Sequence, residues 1–174
     1  IAEGAFNNCS ITQATIPATS IACLKNNSTL QNVTLTGEGK IEGALIFKTC
    51  SNLESVVINK GLTSIGDSLF NGCKKLTSVT IPDKVTSIGE SAFGGCSNLT
   101  SVTIGNSVKS IGSSVFSNYT LLKVYYKGTA EEWGKIDISD YFRLTKVTRY
   151  YSEEQPTGSG NFWHYNENGE IEEW

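Results

Sequence analysis

Methionine is absent from the chain, and histidine occurs once, as His164. A single histidine excludes a metal site built from several histidines, and it leaves one candidate base for a serine-histidine-aspartate arrangement. The chain also begins inside a structural unit, with the residues IAEGAFNNC. We therefore expect it to be a piece of a longer protein, with a signal or anchor upstream of residue 1.

Excess basic charge and long apolar runs are lacking as well. The chain has 14 Lys and Arg against 17 Asp and Glu, which gives a formal net charge of -3. A protein that neutralises a phosphate backbone needs a basic surface, so we expect no nucleic acid partner. No stretch approaches the roughly 20 apolar residues that cross a bilayer, so we expect no membrane span in this fragment. The hydrophobic content of 39% is enough for a packed core.

A repeat of about 23 residues runs through most of the chain, and such a repeat indicates a solenoid in which each unit stacks as one coil on the next. Three sets of apolar residues recur at this interval: Ile65, Ile88 and Ile111, then Phe70, Phe93 and Phe116, then Leu76, Leu99 and Leu122. Upstream the interval is shorter between Ile1, Ile21 and Ile41, and Phe6 and Phe47 fill the aromatic position. We predict about six coils over residues 1–127, the early ones degenerate.

Each coil is predicted to contain a short strand, a corner and a tight turn. Val79 and Ile81 alternate with Ser78 and Thr80, which is the period of a half-buried strand, and the strand ends before Pro82. The segment SAFGGC is predicted to form one tight helical turn that places Phe93 in the core. Stacked coils then form a parallel sheet along one face and bury a ladder of Phe70, Phe93, Phe116, Cys73, Cys96, Leu76, Leu99, Ile88 and Ile111.

The outward positions of the strands follow from the same interval. They are predicted to be Asn32 and Thr34, Ser55 and Val57, Ser78 and Thr80, Ser101 and Thr103, and Val124 and Tyr126. Serine and threonine suit a pleated surface, so the small hydroxyl side chains need no functional explanation.

Four cysteines share one repeat position, three residues after a phenylalanine. They are Cys9, Cys50, Cys73 and Cys96, and Cys23 lies outside this pattern. Repetition predicts buried thiols that act as small apolar side chains. A disulfide between neighbouring coils, such as Cys73 with Cys96, is the alternative. Because no pair of cysteines has the spacing of a metal site, we expect no metal and no cofactor.

Nothing in the chain resembles an active site. The adjacent acids Glu131 and Glu132, Glu153 and Glu154, and Glu172 and Glu173 would point apart rather than flank a substrate. His164 lies in the aromatic run FWHY, which favours a surface or cap position, and GEGK at 37–40 lacks the spacing of a phosphate loop. We therefore expect a protein without enzymatic activity.

The pattern changes near the carboxyl end, and residues 128–174 are predicted to form a capping region. Thr129 can begin a short helix as its N-cap. The runs FWHY and EIEEW flank an Asn-Gly turn at Asn168 and Gly169, which indicates a hairpin with Trp163, Tyr165 and Trp174 on its faces.

The consensus LxSVTIPxxVTSIGxxAFxxCxxL resembles the leucine-rich repeat of the BspA-like class, which occurs in surface proteins of bacteria and some protozoa. The resemblance implies a parallel-stranded solenoid, an extracellular or cell-surface location, and a role in adhesion or protein binding. It supplies no catalytic residues. Segments like YYKGTAEEWGKI commonly close such arrays, and FWHYNENGEIEEW is similar to the aromatic repeats of bacterial wall-binding modules.

Two functions follow as hypotheses. In the first, the solenoid face of a surface-displayed module binds a protein or extracellular matrix component, with Tyr125, Tyr126 and Trp133 as candidate contacts. In the second, the tail attaches the chain to cell wall or glycan through Trp163, Tyr165 and Trp174, and the repeats serve as a stalk. A purely structural spacer is a further alternative.

Overall fold

The computed structural model describes residues 2–6, 9–25, 27–41, 46–48, 50–117, 120–139, 144, 147–152, 160–166, 168 and 170–173. Within these ranges the strands are β1 (Gln13–Pro17), β2 (Asn32–Thr36), β3 (Gly39–Ile41), β4 (Ser55–Ile58), β5 (Leu62–Ile65), β6 (Ser78–Ile81), β7 (Ser87–Ile88), β8 (Ser101–Ile104), β9 (Ser110–Ile111), β10 (Lys123–Tyr126), β11 (Asp137–Ile138), β12 (Thr148–Ser152), β13 (Phe162–Tyr165) and β14 (Ile171–Glu173). A 3-10 helix spans Ala18–Leu24, and α1 spans Ala130–Trp133. None of the described helices has the length and apolar character needed to cross a membrane.

The front sheet contains β1, β2, β4, β6, β8, β10, β12, β13 and β14. Its strands pair in parallel from coil to coil, and the register places each residue beside its copy in the next unit, as with Val79 beside Val102 and Ile81 beside Ile104. The one antiparallel pair among the described strands joins β13 to β14. The predicted solenoid of stacked parallel strands is therefore confirmed.

A second sheet, which the sequence did not predict, lies on another side of each coil. This back sheet has the order β11-β9-β7-β5-β3, and it pairs Ile65 with Ile88 and Ile88 with Ile111. Strands of two residues are too short to show an alternating pattern, which explains why the sequence predicts only one sheet. They become strands because stacking supplies a partner on either side.

The turn segments add a third set of backbone contacts between coils. In SAFGGC the amide of Gly94 donates to the carbonyl of Ser91, while the amide of Phe93 donates to the carbonyl of Val115 in the next coil. The segment forms the predicted tight turn, closed by a hydrogen bond between residues three apart, but it does not continue into a helix. The reason is that Ser91 has a φ of 52°, in the left-handed region, and Ser68 and Ser114 repeat that conformation.

Aromatic rings form a continuous column through the core. Phe47, Phe70, Phe93 and Phe116 are stacked with centroid separations of 5.2, 5.3 and 5.9 Å and nearly parallel ring planes. The predicted core ladder is buried throughout, including Leu76, Leu99, Ile88, Ile111, Cys73 and Cys96. Each ring therefore packs against its copy in a neighbouring coil, and Phe70 and Phe93 have a stacked ring on both sides.

One strand is shifted by a residue relative to the sequence prediction. Lys123 pairs with Ser101 and Tyr125 with Thr103, so this coil is one residue shorter than the coil before it. As a result Leu121, and not Leu122, occupies the buried leucine position, and Leu122 is 62% exposed. The predicted outward pair of Val124 and Tyr126 was wrong, because a shift of one residue turns each side chain to the other face. Lys123 and Tyr125 point outward instead.

The thiols of three cysteines form hydrogen bonds that join neighbouring coils. Cys50 donates to the carbonyl of Asn27 at 3.1 Å, Cys73 to that of Phe47 at 3.4 Å, and Cys96 to that of Phe70 at 3.2 Å. All five cysteines are free thiols, and Cys23 is also buried. Cys9 is exposed, which corrects its predicted place among the buried thiols. Its side chain has no described earlier coil against which to pack.

The predicted cap helix is present, and parallel pairing continues beyond residue 127. The hydroxyl of Thr129 accepts the amide of Glu132, and the Glu132 carboxylate accepts the amide of Thr129, which is a capping box. The indole of Trp133 packs edge-on against Tyr126. After this helix, β11 pairs with β9 and β12 pairs with β10, both in parallel.

We predict that Phe93→Ala lowers the free energy of unfolding by about 3 to 5 kcal/mol, because it removes one ring from the middle of the column. Urea denaturation followed by circular dichroism measures this effect. Lys84→Ala in the same coil is the control, because Lys84 is exposed. Equal losses for the two variants would contradict the proposed role of the column.

We also predict that one thiol reacts with a disulfide reagent such as Ellman's reagent in the native protein and all five react after denaturation, because only Cys9 is exposed. Burial raises the pKa of Cys50 to about 11, so little reactive thiolate is present at neutral pH. Cys9→Ser should abolish the native reaction. Rapid reaction of two or more thiols in the native state would contradict this packing.

Candidate binding surface

The outer face of the front sheet consists of the strand side chains that point away from the core. On β6 these are Ser78 and Thr80, which are exposed and alternate with the buried Val79 and Ile81. The same face carries Val57 on β4, which is 54% exposed. Over β4 and β6 the face is therefore exposed to solvent and carries small side chains.

A cleft interrupts this face between β4 and β6. The front sheet divides there into two hydrogen-bonded parts, β1-β2-β4 and β6 to β14, although β5 and β7 remain paired in the back sheet behind it. The cleft has a volume of about 360 Å³, and its lining includes Ser55, Val57, Lys60, Ser78, Thr80 and Lys127. Its size lies within the range of small-ligand or side-chain pockets.

Lys127 forms the wall of the cleft that lies toward the carboxyl-terminal coils. Its ammonium group lies 3.2 Å from the Asp83 carboxylate and 5.5 Å from the ring centroid of Tyr165. Tyr165 belongs to β13, so the terminal hairpin of β13 and β14 reaches the edge of the cleft. The solenoid face and the tail, two alternative binding sites in the sequence analysis, lie side by side.

The hairpin also covers the outer face of β10. The Glu173 carboxylate accepts hydrogen bonds from the Lys123 ammonium group and the Tyr125 hydroxyl, each at 2.5 Å. The indole N–H of Trp163 donates to the carbonyl of Tyr126 at 2.9 Å, and the Trp163 ring packs edge-on against Tyr125. Tyr125 and Trp163 are consequently buried.

Protonation at this contact follows from burial and hydrogen bonding. Burial, aided by the adjacent Glu173 carboxylate, raises the pKa of Tyr125 to about 12. Burial also acts to raise the pKa of Glu173, but hydrogen bonds from Lys123, Tyr125 and Tyr150 outweigh it and hold that pKa below its ordinary value. The contact is thus an ionised carboxylate held by neutral phenols and a cation.

The predicted binding residues fall into three groups. Tyr126 and Trp133 are buried in the cap, so their side chains are not available at the surface. Tyr125 of β10 and Trp163 of the hairpin are buried against each other, whereas Tyr165 is 43% exposed beside Lys127. Trp174 lies outside the described residues.

The described acids of the adjacent pairs have separate partners. Glu131 binds Lys135 at 2.7 Å, and Glu132 caps α1. Glu172 lies 3.5 Å from His164, while its neighbour Glu173 binds Lys123. The pair of Glu153 and Glu154 lies outside the described residues.

Lys123, Tyr150 and Glu173 are site residues that the sequence analysis did not identify as contacts. A signal for Tyr150 was available, because KVYY at 123–126 and TRYY at 148–151 carry the same aromatic pair. The structure places these segments in register, with Tyr125 beside Tyr150. For Glu173 no local signal exists, since its partners lie far away in the sequence.

The repeats identify the family. Residues 1–39 and 20–142 match the sequence profile of the BspA type leucine rich repeat region, in six copies. The chain belongs to the BspA type leucine-rich repeat family. Repeats of this family occur in bacterial surface proteins and are generally protein-binding, and its solenoids are typically not enzymes.

Solved structures of bacterial leucine-rich repeat proteins have the same fold. A leucine rich cell surface protein from Faecalibacterium prausnitzii A2-165 is 25% identical, with a TM-score of 0.65, and covers 98% of this chain and 48% of its own. The pneumococcal vaccine antigen PcpA is 22% identical, with a TM-score of 0.61, and covers 83% and 37%. A leucine-rich repeat protein from Bacteroides ovatus ATCC 8483 is 20% identical, with a TM-score of 0.62, and covers 87% and 45%.

The chain therefore spans less than half the length of each of these three proteins. No curated protein sequence matches it.

We predict that β14 separates from β10 in acid. Because the pKa of Glu173 is lowered in the folded state, its contact stabilises the hairpin above the ordinary value of 4.5, and that stability is lost as pH falls through the folded pKa. Amide NMR signals of Ile171–Glu173 should then move to random-coil positions while those of β8 stay unchanged. Glu173→Gln should give the open positions at neutral pH, and Glu172→Gln should not. A hairpin that stays closed in Glu173→Gln would contradict this assignment.

Proposed function

We propose that this chain is a surface-displayed binding module, and that the outer face around the cleft between β4 and β6 binds a protein partner or matrix component. The observation that carries the proposal is the cleft itself. It exposes backbone edges and the aliphatic side chain of Val57 within an otherwise rigid and repetitive sheet. An exposed apolar side chain within a cleft is a typical anchor position for a partner.

Charged residues form a polar rim around the cleft. Glu54 and Lys60 lie on its β4 side, and Asp83 and Lys127 lie on its opposite side. Glu54 binds Lys75 and Asp83 binds Lys127 in exposed ion pairs, which contribute little stability but orient charge. An apolar centre with a charged rim is the usual anatomy of a protein interface.

The groove on the back sheet is a less suitable surface. Its lining consists of the repeated Ser-Ile-Gly positions, with Asp67 and Glu90 at its margin. The isoleucines of this lining are buried, and its exposed residues are Lys40, Asp67, Glu90 and Ser139. Such a surface offers no aliphatic or aromatic anchor.

Attachment to cell wall or glycan through the tail remains the alternative. Of the tail residues that the structure describes, Tyr165 would carry it, because Trp163 is buried and its indole N–H already binds the carbonyl of Tyr126. A glycan stacks on an exposed ring face. The Lys127 ammonium group already lies over the Tyr165 ring, so it would compete with a glycan for that face.

We predict that Val57→Asp weakens binding to a matrix protein at least tenfold, because it places a charge at the centre of the cleft. The matched control is Leu122→Asp, since Leu122 is also an exposed aliphatic residue but does not line the cleft. The assay is surface plasmon resonance against immobilised collagen, laminin, fibronectin and fibrinogen in physiological salt, with sedimentation on purified bacterial cell walls as a second arm.

Binding that survives Val57→Asp and falls with Leu122→Asp would move the interface away from the cleft. Sedimentation with cell walls that is abolished by Tyr165→Ala, with no matrix binding, would favour attachment through the tail and make the repeats a stalk.

A further inference from the structure

The outer face of β10 and β12 carries a compact set of hydrogen-bond donors. Tyr125 and Tyr150 lie beside each other in register, and their rings stack with centroids 5.2 Å apart. The Lys123 ammonium group lies over the Tyr150 ring, 5.5 Å from its centroid. One cation and two phenols therefore converge on one point of the surface.

A carboxylate of the chain itself occupies that point. Glu173 accepts hydrogen bonds from Lys123 and Tyr125, and the neighbouring Tyr150 hydroxyl also acts to lower the pKa of this carboxyl group. The Lys123 ammonium group and the Tyr125 hydroxyl, with the Tyr150 hydroxyl beside them, form a site for an anionic oxygen group, because charge-assisted hydrogen bonds are the strongest kind available to a carboxylate. This site is distinct from the cleft, whose lining does not include Lys123, Tyr125 or Tyr150.

The strand that supplies the carboxylate is held weakly. Every residue of β14 is exposed, including Ile171 at 39%. Its described contacts are the short antiparallel pairing with β13, the approach of Glu172 to His164, and the carboxylate of Glu173. By contrast β13 is anchored by the buried Trp163. A terminal strand that buries no side chain separates at low cost, so β14 can leave while β13 stays.

Release of β14 would open two features at once. It would free Lys123, Tyr125 and Tyr150, and it would expose the backbone edge of β13 that now pairs with β14. An exposed strand edge pairs readily with an extended peptide from another molecule. β14 shows how one peptide can use both features. It pairs with β13, and its Glu173 carboxylate reaches Lys123 and Tyr125 on β10.

We propose that Lys123, Tyr125 and Tyr150 form a binding site for an acidic extended peptide of a partner, and that β14 is a built-in competitor that closes this site. The partner adds as a strand to β13 and places a glutamate or aspartate carboxylate where Glu173 now lies. A segment tethered in this way has an effective concentration on the order of millimolar, so the resting protein binds such a peptide weakly.

The test uses the full chain and a fluorescein-labelled peptide with the sequence of residues 168–174, NGEIEEW, in an anisotropy titration. Glu173→Gln keeps the shape of the tail and removes its charge, so it should bind the peptide at least tenfold more tightly than the unaltered chain. Glu172→Gln is the matched control, since that side chain faces His164, and its affinity should match that of the unaltered chain.

Removal of the hydrogen-bond donors Lys123 and Tyr150 should reverse the gain in peptide affinity. In the Glu173→Gln background, Lys123→Gln should weaken the peptide at least tenfold, and Tyr150→Phe, which keeps the ring, should weaken it to a smaller extent. Val57→Asp in the same background should leave the peptide affinity unchanged, so failure of this site is distinguishable from failure of the cleft.

Three results would overturn the proposal. The first is equal peptide affinity for Glu173→Gln and Glu172→Gln. The second is peptide binding by Glu173→Gln that is insensitive to both Lys123→Gln and Tyr150→Phe. The third is a stable dimer of the unaltered chain, seen by light scattering, that Glu173→Gln abolishes. The last result would assign the site to the tail of a second copy.

Discussion

No coil of this protein can bury its own apolar residues, and every other feature depends on that constraint. A ring such as Phe93 is covered because Phe70 and Phe116 lie above and below it, and the same is true of the leucines and isoleucines. Backbone hydrogen bonds also join neighbouring coils, through the back strands, the turns and, except between β4 and β6, the front strands. Stability is therefore shared between neighbours and belongs to no single coil.

The sequence predicted the repeated core residues and the cap helix, but it missed the short back strands and the contacts between distant segments. The column of Phe70, Phe93 and Phe116 was predictable because three registers coincided at one interval. The register of β10 was not predictable. Its coil is one residue shorter, and Leu121 and Leu122 are adjacent, so the sequence does not show that Leu121 takes the buried position. The contact of Glu173 with Lys123 was not predictable either, since no periodic signal connects positions so distant in the chain.

The two binding hypotheses drawn from the sequence concern neighbouring parts of one surface. The tail does not extend away from the solenoid, because Trp163 is bonded to β10 and Tyr165 contacts Lys127 at the edge of the cleft. The outer face thus has an open part over β4 and β6 and a covered part over β10 and β12. A partner on the open part would meet the hairpin at its border, so the two parts of the face share a boundary at Lys127.

The constant interval of the central repeats also has a consequence for how such proteins change over generations. Duplication or loss of one internal unit adds or removes one step in each ladder and leaves the remaining contacts in place, so length can vary in whole coils at little cost. The last coils are different, because the positions of Lys123 and Tyr125 hold serine and threonine in β6 and β8. Recombination among the central units can therefore alter the reach of the molecule while its terminal coil and hairpin are inherited together.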